Sequence, residues 1–243
     1  MPAFTNPFSR KSVSFLRSLK RNNDREWFRA RKDDYERHVR APMVAVIERL
    51  AVDFGRFAPE LDASPKRCIY RIYRDTRFSG DKTPLKTQIA ASFRWRGLPR
   101  GRSAGLYFEV HPQWVWMGGG FYAPETADLV RIREHISDTH PELHRLARAA
   151  AFRRAFIALE GDRLSRVPRG FSKEDPAEAY LRHRNFLAGR EFASPLLSGA
   201  HTIATPYVML RGDGILSSGC FSSLSDLMTH SPDLVGPSPR DVE

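Results

Sequence analysis

Up to Phe57 the apolar residues of this chain recur at helical spacing, and after Pro59 they alternate in twos. No single type of secondary structure satisfies both periods, so the chain must join a helical first quarter to a sheet-forming middle. Ser12 can cap a first helix carrying Phe15, Leu16 and Leu19. Asn22-Asn23-Asp24 stops that helix and starts a second, with Asn23 and Glu26 three apart as in a capping box. Trp27, Phe28, Arg31 and Tyr35 form an amphipathic stripe. Pro42 suits the first turn of a third helix, where its missing N–H is harmless. Met43, Val46, Ile47, Leu50, Phe54 and Phe57 follow at helical spacing, and all of these rows are expected in the core.

Beyond Pro59, Cys68–Tyr73, Ile89–Trp95, Leu106–Val110 and Trp114–Met117 are rich in β-branched and aromatic residues and predict strands. The short separations at Ser79-Gly80-Asp81, Gly97–Gly101 and His111-Pro112-Gln113 suit an antiparallel meander. Gly118-Gly119-Gly120 is expected to end it. Pro124 and Glu125 then open a helix, Pro141 begins another stretch to about Leu159, and a short helix follows near Pro176–Asn185. The expected fold is α+β: an antiparallel sheet from the middle of the chain packed against N- and C-terminal helices, as a single domain over 8–211. Residues 212–243 are Ser-, Gly- and Pro-rich, with five carboxylates (Asp213, Asp226, Asp233, Asp241, Glu243) against Arg240, and read as a loosely ordered or divergent tail.

Cys68 and Cys220 make neither a disulfide framework nor a metal-ligand spacing, and Cys68 is expected buried in a strand. His140 and His144 lie four apart, but the run lacks the H-E-x-x-H order and Pro141 places His140 at a helix start. No metal and no cofactor are expected. The N-terminus has no apolar h-region, and no apolar stretch approaches the roughly 18 residues of a membrane span. A cytoplasmic protein without a membrane partner is therefore expected.

Charge narrows the function classes. Lys and Arg number 39 against 28 Asp and Glu, a net charge of +11, so the partner should be negative: a phosphate-bearing small molecule or nucleic acid. Between Lys66 and Arg102 stand Lys66, Arg67, Arg71, Arg74, Arg77, Lys82, Lys86, Arg94, Arg96, Arg100 and Arg102, opposed only by Asp75 and Asp81. At the centre, Arg71 to Pro84 interleaves arginines, carboxylates and a lysine around a tight turn. In an extended strand Arg71, Tyr73, Asp75 and Arg77 share one face. Arg71, Arg74 and Arg77 would clamp an anion, Lys82 would add a point charge, and Asp75 would orient the guanidinium groups. The same residues also suit an internal salt-bridge cluster that binds nothing. The backbone N–H groups of Gly119 and Gly120, before a helix start, and Arg169 in the following loop are further anion-binding candidates. Asp81 and Glu109 are the candidate general bases for phosphoryl transfer or phosphoester hydrolysis, Glu109 sharing a strand face with Tyr107 and His111. An exposed sheet edge explains Glu109 and His111 equally. Trp95, Trp114 and Trp116 beside the arginines suit a non-catalytic module that stacks single-stranded bases, or simply a core.

The central run resembles the signature R-x-x-R-D-x-R-F-x-x-D/N-K-x-x-Y of a domain-of-unknown-function family of intracellular proteins of about this size. Arg71, Arg74, Asp75, Arg77, Phe78, Asp81 and Lys82 match it position by position, and Leu85 stands where the signature has tyrosine. Asn22-Asn23 with Glu26-Trp27-Phe28, Pro84 with Lys86-Thr87, Gly105 with Tyr107, Gly118–Tyr122 with Pro124, and Pro168–Phe171 resemble the family in order. The likeness spans about residues 8 to 211. It implies a grouping and carries no activity.

Overall fold

The structure is a computed structural model that describes residues 6–98 and 103–193. Arg100, Arg102, Cys220 and the tail after residue 211 lie outside the described residues. Helix α1 spans Arg10–Arg21 and buries Ser12, Val13, Phe15, Leu16 and Leu19. Its start falls earlier than expected: Ser12 lies within the first turn, and its hydroxyl accepts the N–H of Ser9. Helix α2, Arg25–Arg29, is capped by Asp24 rather than Asn23, the Asp24 carboxylate accepting from the N–H groups of Glu26 and Trp27. Helix α3, Lys32–Tyr35, runs through a π turn at Glu36–Arg40 into α4, Ala41–Phe57, so Pro42 sits in an early turn of a helix already under way.

The sheet has four antiparallel strands in chain order: β1 Ile89–Arg94, β2 Gly105–Val110, β3 Trp114–Phe121 and β4 Phe186–Ala193. Register follows from burial. Ile89, Ala91, Phe93, Leu106, Phe108, Val110, Val115 and Met117 alternate onto one face and are all buried. Phe54 of α4 meets Phe93 edge-on with ring centroids 5.2 Å apart, which joins the N-terminal helices to the sheet. Helix α5, Pro65–Cys68, precedes β1, and α6 (Thr126–Arg148), α7 (Ala150–Ala155) and α8 (Glu178–Leu181) lie between β3 and β4. Helix α6 bends at Thr139, two residues before Pro141, whose missing N–H breaks the hydrogen-bond ladder. Among the described residues no helix is long and apolar enough to cross a membrane.

Two strand expectations need correction. Cys68 ends a helical turn instead of lying in a strand, and Ile69–Tyr73 forms no strand, its β-pairing limited to isolated bridges, Ile69 to Ala91 and Tyr73 to Leu85. Burial pushes the Cys68 thiol up to about 11, so it is inert. The glycines do not end β3. They lie inside it, Gly119 paired with Leu106 and Ala188, and Gly120 with Gly105 and Leu187. Paired with strands on both sides, Gly119 and Gly120 are not the free amides before a helix start that the sequence suggests. Glycine is required there because β4 approaches closely. A Cβ on Gly118 would come 2.3 Å from the Ala188 carbonyl oxygen.

Candidate functional site

The basic run does not form a strand hairpin, so the two-residue period does not place Arg71, Tyr73, Asp75 and Arg77 on one face. It is a loop closed at its base by two backbone bonds: Lys86 donates to Ile72 at 2.8 Å and Arg74 donates to Pro84 at 2.9 Å. The Asn23 side chain clamps that base from 62 residues away. Its Nδ2 donates to the Leu85 carbonyl at 2.8 Å, and its Oδ1 accepts the Leu85 N–H at 3.0 Å. Leu85 itself points into the core, 1% exposed. The position where the signature has tyrosine is therefore an inward one in this chain. Asn23→Ala is expected to leave both Leu85 backbone groups unpaired and to cost about 2 kcal/mol in chemical denaturation.

Within the loop the charges find one another. Arg77 grips Asp75 with two donors, Nε at 3.0 Å and Nη2 at 2.7 Å. Arg74 pairs with Asp81, whose other oxygen accepts the Thr83 N–H at 2.9 Å and hydroxyl at 2.8 Å. These bonds hold both carboxyls at about 2, Asp75 chiefly through Arg77 and Asp81 chiefly through Arg74. So ionised and so engaged, Asp81 is a weak proton acceptor. Lys82 Nζ donates to the Thr76 carbonyl at 2.9 Å. Arg71 is exposed and makes no hydrogen bond or ion pair among the described residues. The loop thus carries four cations (Arg71, Arg74, Arg77, Lys82) against two carboxylates (Asp75, Asp81). At its tip Phe78 is 95% exposed, with the Arg77 guanidinium 5.7 Å from its ring.

Glu109 belongs to a different place, the sheet face turned away from the apolar core. β2 is an inner strand, so the exposed-edge explanation for Glu109 and His111 fails. Glu109 is half-buried and accepts from Tyr107 Oη at 2.6 Å and from Trp114 Nε1 at 3.4 Å. Burial and the Glu109 carboxylate together raise the Tyr107 phenol far above its ordinary value, so it stays a donor. His111 lies in the β2–β3 turn, buried and stacked on Trp114 with centroids 3.5 Å apart. Burial, with Lys20 adding a smaller push, lowers His111 to about 4 and keeps it neutral. A row of rings crosses the same face: Tyr70 lies 6.1 Å from Tyr107, and Tyr107 lies 5.6 Å from Trp116. Lys86 Nζ sits 5.0 Å over Tyr70. Sequence reading missed Tyr70 and Lys86 as members of this row, of which the alternation of Tyr107 with Glu109 and the strand tryptophans were the signals.

Arg169 stands exposed in the turn before Gly170, and no hydrogen bond or ion pair links it to the basic loop among the described residues. A cavity of about 460 Å³ elsewhere brings Arg17, Lys20 and Arg21 of α1 beside Pro112 and Gln113. His140 and His144 meet ring to ring at 5.8 Å. Among the described residues no group of three or more His, Cys, Asp or Glu could hold a metal ion.

A family model described as conserved hypothetical protein (DUF2461) matches residues 11–205. No curated protein and no solved structure matches the chain.

Proposed function

We propose that this chain, which belongs to the conserved hypothetical protein family DUF2461, binds a phosphate-bearing small molecule at the Arg71–Lys82 loop. The observation that carries the reading is the loop's unequal charge, four cations against two carboxylates that pair with only two of them, Arg74 and Arg77. Asp75 and Asp81 neutralise two guanidinium groups but also fix their orientation. Each arginine has five N–H donors, and the ion pairs with Asp75 and Asp81 engage only some of them. Arg71 and Lys82 supply the surplus charge. A phosphate dianion matches both the sign and the fork geometry. The role is binding, because Asp81 is already committed to Arg74 and Thr83 and Glu109 lies on the sheet face.

Titration calorimetry with a nucleoside triphosphate as probe, at about 50 and 200 mM salt, tests this directly. Saturable binding that persists at the higher salt is expected, with the Arg71→Ala, Lys82→Ala double variant weakened at least about tenfold. Equal binding by that variant, or none by the parent chain, would overturn the assignment.

One feature favours a second reading. Phe78, nearly fully exposed beside Arg77, offers a stacking surface for an unpaired base. A single-stranded oligonucleotide in the same titration should then bind in a length-dependent way, collapse between the two salts and lose affinity in Phe78→Ala.

A further inference from the structure

We propose that the sheet face turned away from the apolar core holds an organic cation, an ammonium-bearing group, in the corner between Tyr107 and Trp116 beside Glu109. This goes beyond the phosphate reading and uses none of the loop's residues. The corner is built by register. Glu109 pairs with Trp116 across the β2–β3 ladder, and Tyr107, two residues along on the same face, pairs with Gly118. Gly118 in turn pairs with Gly189. The Trp116 ring lies directly over these two glycines. A Cβ on Gly189 would come 2.0 Å from its Cζ2, and one on Gly118 would come 2.7 Å from its Cη2. One face of the indole therefore rests on bare backbone and the other turns away from the sheet. Tyr107 stands at 63° to it, and the two rings form two walls.

Glu109 supplies the charge. Both of its donors, the Tyr107 hydroxyl and the Trp114 indole N–H, are neutral. No lysine, arginine or histidine among the described residues forms an ion pair with it. A half-buried carboxylate held in place by two neutral donors has spare lone pairs for a further partner. Ring faces beside such a carboxylate attract a cation by their quadrupoles. The row already shows this preference one ring along, where Lys86 sits over Tyr70. A hard metal ion is disfavoured, since it demands several oxygen ligands and the corner offers a single carboxylate. An ammonium group with an apolar shell needs no such set. The chain's net charge of +11 repels cations at long range, so occupancy must come from this local geometry.

Tetramethylammonium chloride titrated into the whole chain, with potassium chloride holding ionic strength constant, provides the test. The readout is the four indole N–H signals, from Trp27, Trp95, Trp114 and Trp116, in a nitrogen–proton correlation spectrum. Saturable shifts confined to Trp114 and Trp116 are expected. Glu109→Gln should weaken them at least about fivefold, while Asp75→Asn, on the loop, should leave them unchanged. Shifts spread evenly over all four indoles, no saturable shift, or full-strength binding by a folded Glu109→Gln protein would overturn the proposal. If Glu109→Gln fails to fold, the pattern of shifts in the parent chain decides alone.

Discussion

Valine in place of Gly120 is expected to abolish the cooperative unfolding transition of this protein, at a cost of more than about 3 kcal/mol. Two penalties combine. Gly120 has φ of +134°, a region that side chains with a Cβ rarely enter, and a β-branched residue fits there least. Its Cβ would also lie 2.0 Å from the Phe186 carbonyl oxygen and 3.0 Å from the Leu187 Cα. Both obstacles are backbone atoms of the neighbouring strand, so no side-chain rotation relieves them. The sheet would have to part between β3 and β4. Circular dichroism and urea titration read the effect. Gly80→Ala in the basic loop is the internal control: nothing lies within 4 Å of its Cβ position, and a change within about 0.5 kcal/mol is expected. A Gly120→Val protein with parental stability would show that the two strands do not approach as described.

Phe93→Ala is expected to cost about 3–5 kcal/mol, the usual range for emptying a fully buried phenylalanine site. Phe93 is 0% exposed and meets Phe54 edge to face at 90°. Because this contact joins α4 to β1, part of the loss should be a pairwise term. A double-mutant cycle with Phe54→Ala should return a coupling of about 1 kcal/mol. Additive losses would mean that the two rings stabilise their own elements and do not join helix to sheet.

The first three strands were legible in the sequence because one face of each is buried, and burial forces the apolar–polar alternation that marks a strand. The fourth was not. In Phe186–Ala193 the alternation stops at Arg190 and Glu191, both exposed near the end of an edge strand. Helical spacing in Met43–Phe54 was equally plain, although its continuity with α3 through a π turn leaves no mark on the apolar pattern. The glycine run was misread because glycines signal turns when only local conformation is considered. Here they answer a crowding imposed by β4, some 70 residues away, and by a tryptophan ring lying across the sheet. At the basic loop, composition revealed the excess of cations but not the pairing. That Asp75 takes Arg77, and Asp81 takes Arg74 and Thr83, depends on how the loop folds back on a base fixed by Asn23. The aromatic row was hidden for the same reason, since Tyr70 reaches Tyr107 only after Ile69 docks beside Ala91.

Beyond the two backbone bonds at its base, the loop is held by a single carboxamide, that of Asn23. One end of that group donates and the other accepts, as the Leu85 peptide unit requires. Slow hydrolytic deamidation would turn it into an acid with two acceptors, one of them facing the Leu85 carbonyl oxygen in mutual repulsion. A chemical change of one mass unit, far from the arginines in sequence, would thereby weaken the hold on the segment that carries them, and ageing of the purified protein is expected to loosen residues 72–86.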